Sequence, residues 1–184
     1  HWDPDLYFYK RESDQYFSDA RNMLGNYIAY LEGNTASPLL FEAFFQINMS
    51  DYVLSGFIDR LDVDKHGNIS IYDYKTSSSQ KTEKNIQRSF QLPIYALAIY
   101  LDGENINQNI RSKSSPINIS ELSLRFENME KAVILSETDI IDVKDRIDQL
   151  VKDISSNIFK SNPNLINCSY CDYKKFICSY YNDC

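Results

Sequence analysis

The stretch Ser55–Ser77, SGFIDRLDVDKHGNISIYDYKTS, contains two runs of alternating apolar residues around the segment KHGN at 65–68. This alternation, with Gly and Asn between the runs, predicts an antiparallel β-hairpin. Successive side chains on a strand point to opposite faces of the sheet. Asp59 belongs to the odd-numbered set of the first run. The apolar members of that set, which we expect on the same face, are Val53, Phe57, Leu61 and Val63.

The second run carries Asp73 and Lys75 on one face. Asp59 lies seven residues before His66 and Asp73 lies seven after it, so a hairpin that turns near His66 places the two carboxylates side by side. Two carboxylates in a partly apolar setting repel each other unless a cation or a proton lies between them. The pattern therefore predicts a divalent ion, and oxygen ligands favour Mg²⁺ or Mn²⁺. A neighbouring lysine can orient a water or stabilise charge on a phosphate.

The segments GFIDR (56–60), DYKTS (73–77) and QLPIY (91–95) together resemble the RecB-type nuclease domain of the PD-(D/E)XK superfamily. Such domains occur in helicase-nucleases and CRISPR-associated exonucleases. The resemblance implies that Asp59, Asp73 and the backbone carbonyl of Tyr74 bind the metal. It also implies that Lys75 is the catalytic lysine.

Gln91 and Tyr95 match the Q-x-x-x-Y motif of that family. They are four residues apart and share one face of a helix that we expect from about Ile86 to Leu101. Pro93 lies between them and requires that the helix begin or kink nearby. We expect Gln91 and Tyr95 to position Lys75, the metal or DNA.

The resemblance implies an α/β fold, a restriction-endonuclease-like core in which helices flank a mixed central sheet. The implied function is Mg²⁺-dependent hydrolysis of DNA, as the nuclease module of a helicase-nuclease in DNA repair or recombination. The alternative is an inactive DNA-binding or assembly module of a helicase complex, because the upstream His or Glu of the family is not evident. Whether His1 or Glu42 contributes to the site stays open.

Composition indicates one globular domain. The chain has 184 residues, 43% of them hydrophobic and 14% aromatic, which is enough for a single core. We expect an N-terminal helical segment at 1–36, a nuclease core at 37–160 and a Cys-rich tail at 161–184. No apolar run reaches the length of a membrane span and no signal peptide opens the chain, so we expect a cytoplasmic protein without a membrane partner. The absent initiator Met suggests a fragment of a longer protein.

The net charge of −7 opposes the nuclease interpretation, because DNA-binding proteins usually carry a basic surface. Either a partner domain supplies most of the affinity for DNA or a local basic patch does. The residues of that patch would be Lys75, Lys81, Lys84 and Arg88.

Further elements follow from apolar spacing. A packing helix is expected over Ser13–Leu31, with Gly33-Asn34 as its stop. Strands are expected at 39–49, 120–126 and 131–135, and an amphipathic helix follows with Ser136 as its N-cap. The apolar stripe of the first helix is Phe17, Ala20, Leu24, Tyr27 and Leu31.

A competing motif crosses the hairpin turn. Residues 62–69, DVDKHGNI, resemble the start of an EF-hand calcium loop. Strand-like flanks, and Asp73 instead of Glu at the twelfth position, favour the hairpin. We therefore expect Asp62 on the solvent face and Asp64 at the turn entry.

All four cysteines lie in the last seventeen residues, with the spacing C-x2-C-x6-C-x5-C. In an intracellular protein, this spacing favours a metal or cluster site over disulfides. Many RecB-type domains end in a similar set that binds a [4Fe-4S] cluster, which the resemblance favours over zinc. The alternative is four free or oxidised thiols. The proposed ligands are Cys168, Cys171, Cys178 and Cys184. In the relatives that the resemblance indicates, the fourth ligand usually lies well upstream, and residues 1–167 contain no Cys, so either Cys184 replaces it or that ligand lies outside these residues.

Overall fold

A computed structural model of the chain describes residues 2–34, 38–173 and 177–178. Two compact units follow each other along the chain: the first ends at Asp145 and the second begins at Arg146. The helices are α1 Lys10–Gly33, α2 Glu83–Arg88, α3 Gln91–Ile106, α4 Glu137–Ser155 and α5 Leu165–Ser169, and a 3₁₀ turn spans Pro4–Leu6. The strands are β1 Pro38–Asn48, β2 Val53–Val63, β3 Ile69–Lys75, β4 Ile117–Ser123 and β5 Glu130–Leu135.

The five strands form one mixed sheet in the order β1-β2-β3-β4-β5. The β3–β4 pair is parallel, whereas the other three pairs are antiparallel. A parallel pair needs a crossover connection, and α2 and α3 lie in that connection. The predicted mixed α/β architecture is therefore confirmed.

Helices cover both faces of the sheet. On one face, Gln91 of α3 reaches Asp73 of β3. On the other, the Tyr27 hydroxyl of α1 lies 2.8 Å from that of Tyr74. Consecutive residues of β3 therefore face different helices, as the two-residue period of a strand requires. The apolar α3 is buried almost all round, and its segment Ala96–Ile99 is completely buried.

The hairpin forms in the predicted register. Leu61 pairs with Ile71 and Val63 with Ile69, so the next position in that series sets Asp59 against Asp73. At the turn, the Asp64 carboxylate accepts the N–H groups of residues 66 and 68 at 2.7 and 2.9 Å. Gly67 has φ +83°, which glycine adopts without steric cost. These contacts confirm the hairpin and the place of Asp64 at its turn.

The prediction that the odd-numbered face of β2 is buried is wrong for the first half of the strand. Val53 and Phe57 are 56% and 54% exposed, and Phe57 instead packs against Phe44 of β1 at a centroid distance of 5.2 Å. Farther along β2 both faces are covered, so the alternation no longer separates inside from outside. Asp62, expected on the solvent face, is 4% exposed because it pairs with Arg60.

The EF-hand interpretation does not fit this hairpin. Strands rather than helices flank the loop. The first of its would-be ligands, Asp62, receives two guanidinium hydrogen bonds from Arg60 at 2.6 and 2.9 Å. A carboxylate engaged in this way is not available to a cation.

The helices differ from expectation in detail. Phe17, Leu24 and Leu31 of α1 are 43%, 60% and 39% exposed, so of the expected stripe only Ala20 and Tyr27 are partly buried, and Tyr27 packs against the core. The single helix expected from Ile86 is two helices, with Ser89 and Phe90 between them. A start at Gln91 places Pro93 in the first turn of α3, where its missing N–H has no intrahelical partner to lose.

The later elements agree more closely with expectation. The predicted strands correspond to β4 and β5. Ser136 caps α4, as predicted, by accepting the Asp139 N–H at 3.3 Å. Within the described part of the chain, no helix is long and apolar enough to cross a membrane.

Candidate active site

The two carboxylates predicted to form a pair lie on adjacent strands. Asp73 is 1% exposed, whereas Asp59 is half-buried. The backbone N–H of Tyr74 donates to Asp59 Oδ2 at 3.0 Å. This bond fixes the Asp59 carboxylate beside the D-Y-K segment, as the hairpin register predicts.

Lys75 and Gln91 connect Asp73 to α3. The Lys75 Nζ lies 2.5 Å from Asp73 Oδ2 and donates to Gln91 Oε1 at 2.8 Å. The Gln91 Nε2 in turn donates to Asp73 Oδ1 at 2.7 Å and to the Tyr95 hydroxyl at 3.1 Å. The structure therefore brings Asp73, Lys75, Gln91 and Tyr95 into one hydrogen-bonded group.

Packing orients the polar groups of α3. Gln91 is the first residue of the helix and Tyr95 lies one turn later. The Tyr95 ring is 9% exposed and meets the buried Phe45 ring edge-on at 5.9 Å. Burial raises the pKa of the Tyr95 hydroxyl, so at neutral pH it stays protonated and can both accept from Gln91 and donate.

The Asp73 carboxylate occupies an unfavourable electrostatic position. Burial raises its pKa; Lys75 lowers it, and the negative charges of Asp59 and Glu121 raise it again. One of its oxygens, Oδ2, is buried, and its partner in the described structure is the Lys75 ammonium group. A buried carboxylate beside other negative charges is stabilised by an added cation.

The donor set fits a hard divalent ion. Asp59 and Asp73 provide carboxylate oxygens, and the carbonyl of Tyr74 lies in the strand segment between Asp73 and Lys75. Within residues 2–34, 38–173 and 177–178, no three His, Cys, Asp or Glu side chains converge as a ready-made metal site. A divalent ion here would therefore need the Tyr74 carbonyl or water to complete its oxygen ligands.

The side chain of Tyr74 is held from the opposite face of the sheet. Its hydroxyl contacts Tyr27 of α1, and the Arg60 Nη1 donates to the same Tyr27 hydroxyl at 3.4 Å. Arg60 is 1% exposed and forms a two-bond ion pair with Asp62. The pair with Asp62 holds the pKa of Arg60 above its ordinary value. A hydrogen-bonded polar cluster thus supports the strand segment that contains the Tyr74 carbonyl.

Sequence reasoning missed Glu121. This β4 residue pairs with Asp73 in the parallel ladder and is 2% exposed. Its Oε2 lies 2.8 Å from Lys81 Nζ. The segment SELSL alone does not reveal it, because only the parallel register places Glu121 beside the D-x-K strand.

The expected basic patch is divided by these contacts. Lys75 and Lys81 each pair with a buried carboxylate, whereas Lys84 and Arg88 lie exposed on α2. Glu42 is exposed and has φ +48°. His1 lies outside the described residues, so its contribution stays a prediction.

The cysteine tail is described only in part. Cys171 and Cys178 carry free thiols, and Cys168 is disulfide-bonded. Cys184 lies outside the described residues. A sulfur in a disulfide is not a thiolate ligand, so cluster binding would require Cys168 in its reduced form.

Similarity to known proteins extends along nearly the whole chain. The sequence model of the PD-(D/E)XK nuclease superfamily matches residues 4–179. No curated protein resembles the chain closely enough to count as a match. Among solved structures, one titled "Crystal structure of SSO0001" has 19% sequence identity and a TM-score of 0.43, over 92% of this chain and 79% of that chain. The family match and the mixed sheet together confirm the predicted restriction-endonuclease-like fold.

Proposed function

Since the chain belongs to the PD-(D/E)XK nuclease superfamily, whose members are generally metal-dependent nucleases, we propose that it hydrolyses phosphodiester bonds in DNA with Mg²⁺ or Mn²⁺. One observation carries this proposal. The buried carboxylate of Asp73 lies on the strand next to Asp59, pairs with Lys75 at 2.5 Å and accepts from Gln91 at 2.7 Å.

In this proposal, Asp59, Asp73 and the Tyr74 carbonyl hold the divalent ion. The chemistry that such an ion supplies is Lewis-acid polarisation of a phosphoryl oxygen. Hydrolysis adds water across a P–O bond, so the attacking oxygen joins phosphorus while the leaving oxygen takes a proton. Lys75 orients the water and stabilises the phosphate charge, because its ammonium group carries three donors.

Gln91 and Tyr95 act on Lys75 rather than on the substrate. The Gln91 amide accepts from Lys75 and donates to Asp73, so it fixes the distance between the ammonium group and the carboxylate. Tyr95 in turn limits the orientation of the Gln91 amide. Such preorganisation lowers the cost of reaching the reactive geometry.

We extend the proposal to the context in which the protein works. We infer a RecB-type nuclease that acts with a helicase in DNA repair or recombination, in the cytoplasm. The three motif segments at 56–60, 73–77 and 91–95 support this inference. We also propose that 1–184 is a single nuclease-like domain, a view supported by a family match that spans both compact units.

For the tail we propose a [4Fe-4S] cluster, with zinc as the alternative. The spacing of the four cysteines supports it. Anaerobic purification followed by absorption spectroscopy and elemental analysis tests it: iron with a brown sample is expected. Zinc in a colourless sample would identify the alternative, and neither metal would refute a thiolate site.

The second candidate function is a DNA-binding module without cleavage activity. It is favoured by the net charge of −7 and by the internal pairing of Lys75 and Lys81. A net negative charge opposes the approach of DNA, and the pairing weakens the expected basic patch, so a module of this kind would depend on a partner for affinity.

A nuclease assay separates the two functions. Wild-type protein is incubated with single- and double-stranded DNA in Mg²⁺, Mn²⁺ or EDTA, alongside Asp73→Ala and Lys75→Ala. Lys65→Ala is the matched control, because Lys65 is exposed in the turn between β2 and β3 and lies outside both the polar group and the expected basic patch. We expect metal-dependent cleavage by wild type and control and none by the two site variants. Cleavage retained in both site variants would overturn the proposal, whereas DNA binding without cleavage by wild type would favour the second function.

A further inference from the structure

A third carboxylate lies in the sheet next to the candidate metal site. Glu121 of β4 is the parallel ladder partner of Asp73, and neighbouring strands lie about 5 Å apart. Residues paired across a ladder point to the same face of the sheet. The Glu121 side chain is 3% exposed, so its charge acts on Asp73 through protein rather than through water.

Lys81 is the partner of this buried charge. Its Nζ lies 2.8 Å from Glu121 Oε2, while its own side chain is 45% exposed. The preceding residue, Gln80, donates to the carbonyls of Asn128 and Met129 at 2.9 and 3.2 Å. The segment after β3 is therefore attached at two consecutive residues, Gln80 to the β4–β5 connection and Lys81 to β4, which holds Lys81 over Glu121.

A buried carboxylate at this position lowers the stability of the fold unless its charge serves another role. Burying an ion pair is often no better for stability than packing apolar residues of similar size. Here Glu121 also opposes the ionised form of Asp73. Among the described residues, Glu121 does not join Asp59 and Asp73 in a three-residue metal cluster. Its effect on a bound ion would therefore come from its charge and from its influence on Asp73, without direct coordination.

We propose that Glu121 is a positioning residue of the metal site and that its ion pair with Lys81 sets the charge that a divalent ion meets there. This inference rests on the proposed function. Glu121 attracts the ion and Lys81 offsets part of that attraction. Because the two charges have opposite signs, removing one should have the opposite effect of removing the other.

Metal binding without DNA tests the proposal and avoids any dependence on activity. Mn²⁺ is titrated into the purified chain and followed by electron paramagnetic resonance and calorimetry. We expect Glu121→Gln to weaken binding and Lys81→Met to strengthen it, each by about threefold to tenfold for a unit charge at this range. The double variant should return close to wild-type affinity, and Lys81→Arg should retain it. Lys65→Met is the control for loss of an exposed lysine.

The outcomes are distinct. Equal weakening by both single variants would show an ion pair with a purely structural role and overturn the proposal, as would no change in either. If Lys81→Met does not fold, the double variant is compared with Glu121→Gln, and a failure to regain affinity overturns the proposal. Wild-type protein that binds no Mn²⁺ would refute the proposed function itself, whereas Mn²⁺ binding that Asp73→Asn abolishes would leave only the role of Glu121 in question.

Discussion

Replacing Asp73 with Asn should abolish the stabilisation of the fold by divalent ions. The change removes a charge that lies 99% buried beside Asp59 and keeps an oxygen that can accept from Gln91. The loss of the Lys75 ion pair is opposed by relief of an unfavourable buried charge, since burial raises the Asp73 pKa. We therefore expect the metal-free variant to melt within about 4 °C of wild type, which corresponds to about 1 kcal/mol.

The expected effect of metal follows from linkage. A ligand at about 100 times its Kd stabilises the folded state by about 2.7 kcal/mol. For a chain of this size, that free energy raises Tm by roughly 5–11 °C. Wild-type protein should show this increase in saturating Mn²⁺, and Asp73→Asn should show none. Loss of the site carboxylate removes the ion's preferred ligand type, which explains the difference.

Differential scanning calorimetry with and without Mn²⁺ measures the increase. Asp51→Asn is the matched control, because Asp51 is an exposed carboxylate between β1 and β2. It should retain the full Mn²⁺ response. An equal rise of Tm in wild type and Asp73→Asn would show that the ion binds elsewhere and would refute the reasoning.

Three further changes test the supporting structure. Asp62→Asn leaves the guanidinium of Arg60 buried without its ion-pair partner, so urea unfolding should show a loss of about 3–5 kcal/mol; an unchanged midpoint would contradict that estimate. Gly56→Ala sets a Cβ 3.0 Å from the ring of Phe45, and overpacking should cost about 1–2 kcal/mol in the same assay; a more stable variant would show that the ring can move. Gln91→Ala should lower kcat about 10- to 100-fold with little change in Mn²⁺ affinity. Steady-state kinetics measures kcat and calorimetry measures the affinity; weaker Mn²⁺ binding with an unchanged kcat would contradict this prediction.

The hairpin and its site could be predicted from sequence for a local reason. A period of two residues fixes the relative faces of Asp59 and Asp73 once the turn is located, and the Gly and Asn of segment 65–68 locate it. The match of Gln91 to a family motif then adds an amide group to the two carboxylates of the predicted site. The structure adds the hydrogen bonds that join these residues, which no spacing specifies.

Other features depend on contacts between distant segments. Phe17, Leu24 and Tyr27 of α1 share the predicted stripe, yet only Tyr27 packs on the core, together with Tyr30 from outside the stripe. Spacing reports that a helix is amphipathic but not which neighbour it meets. The sequence does not reveal Glu121 for the same reason. It lies near Asp73 because β3 and β4 pair in parallel, although α2 and α3 separate these strands in the sequence.

The central claim is that Asp59 and Asp73 share a divalent ion beside Lys75. Crystals of the chain grown with Mn²⁺ test it most directly through anomalous scattering. We predict a single strong peak within bonding distance of both carboxylates and of the Tyr74 carbonyl. A Mn²⁺ peak elsewhere, with Asp59 and Asp73 contacting only protein and water, would contradict the account.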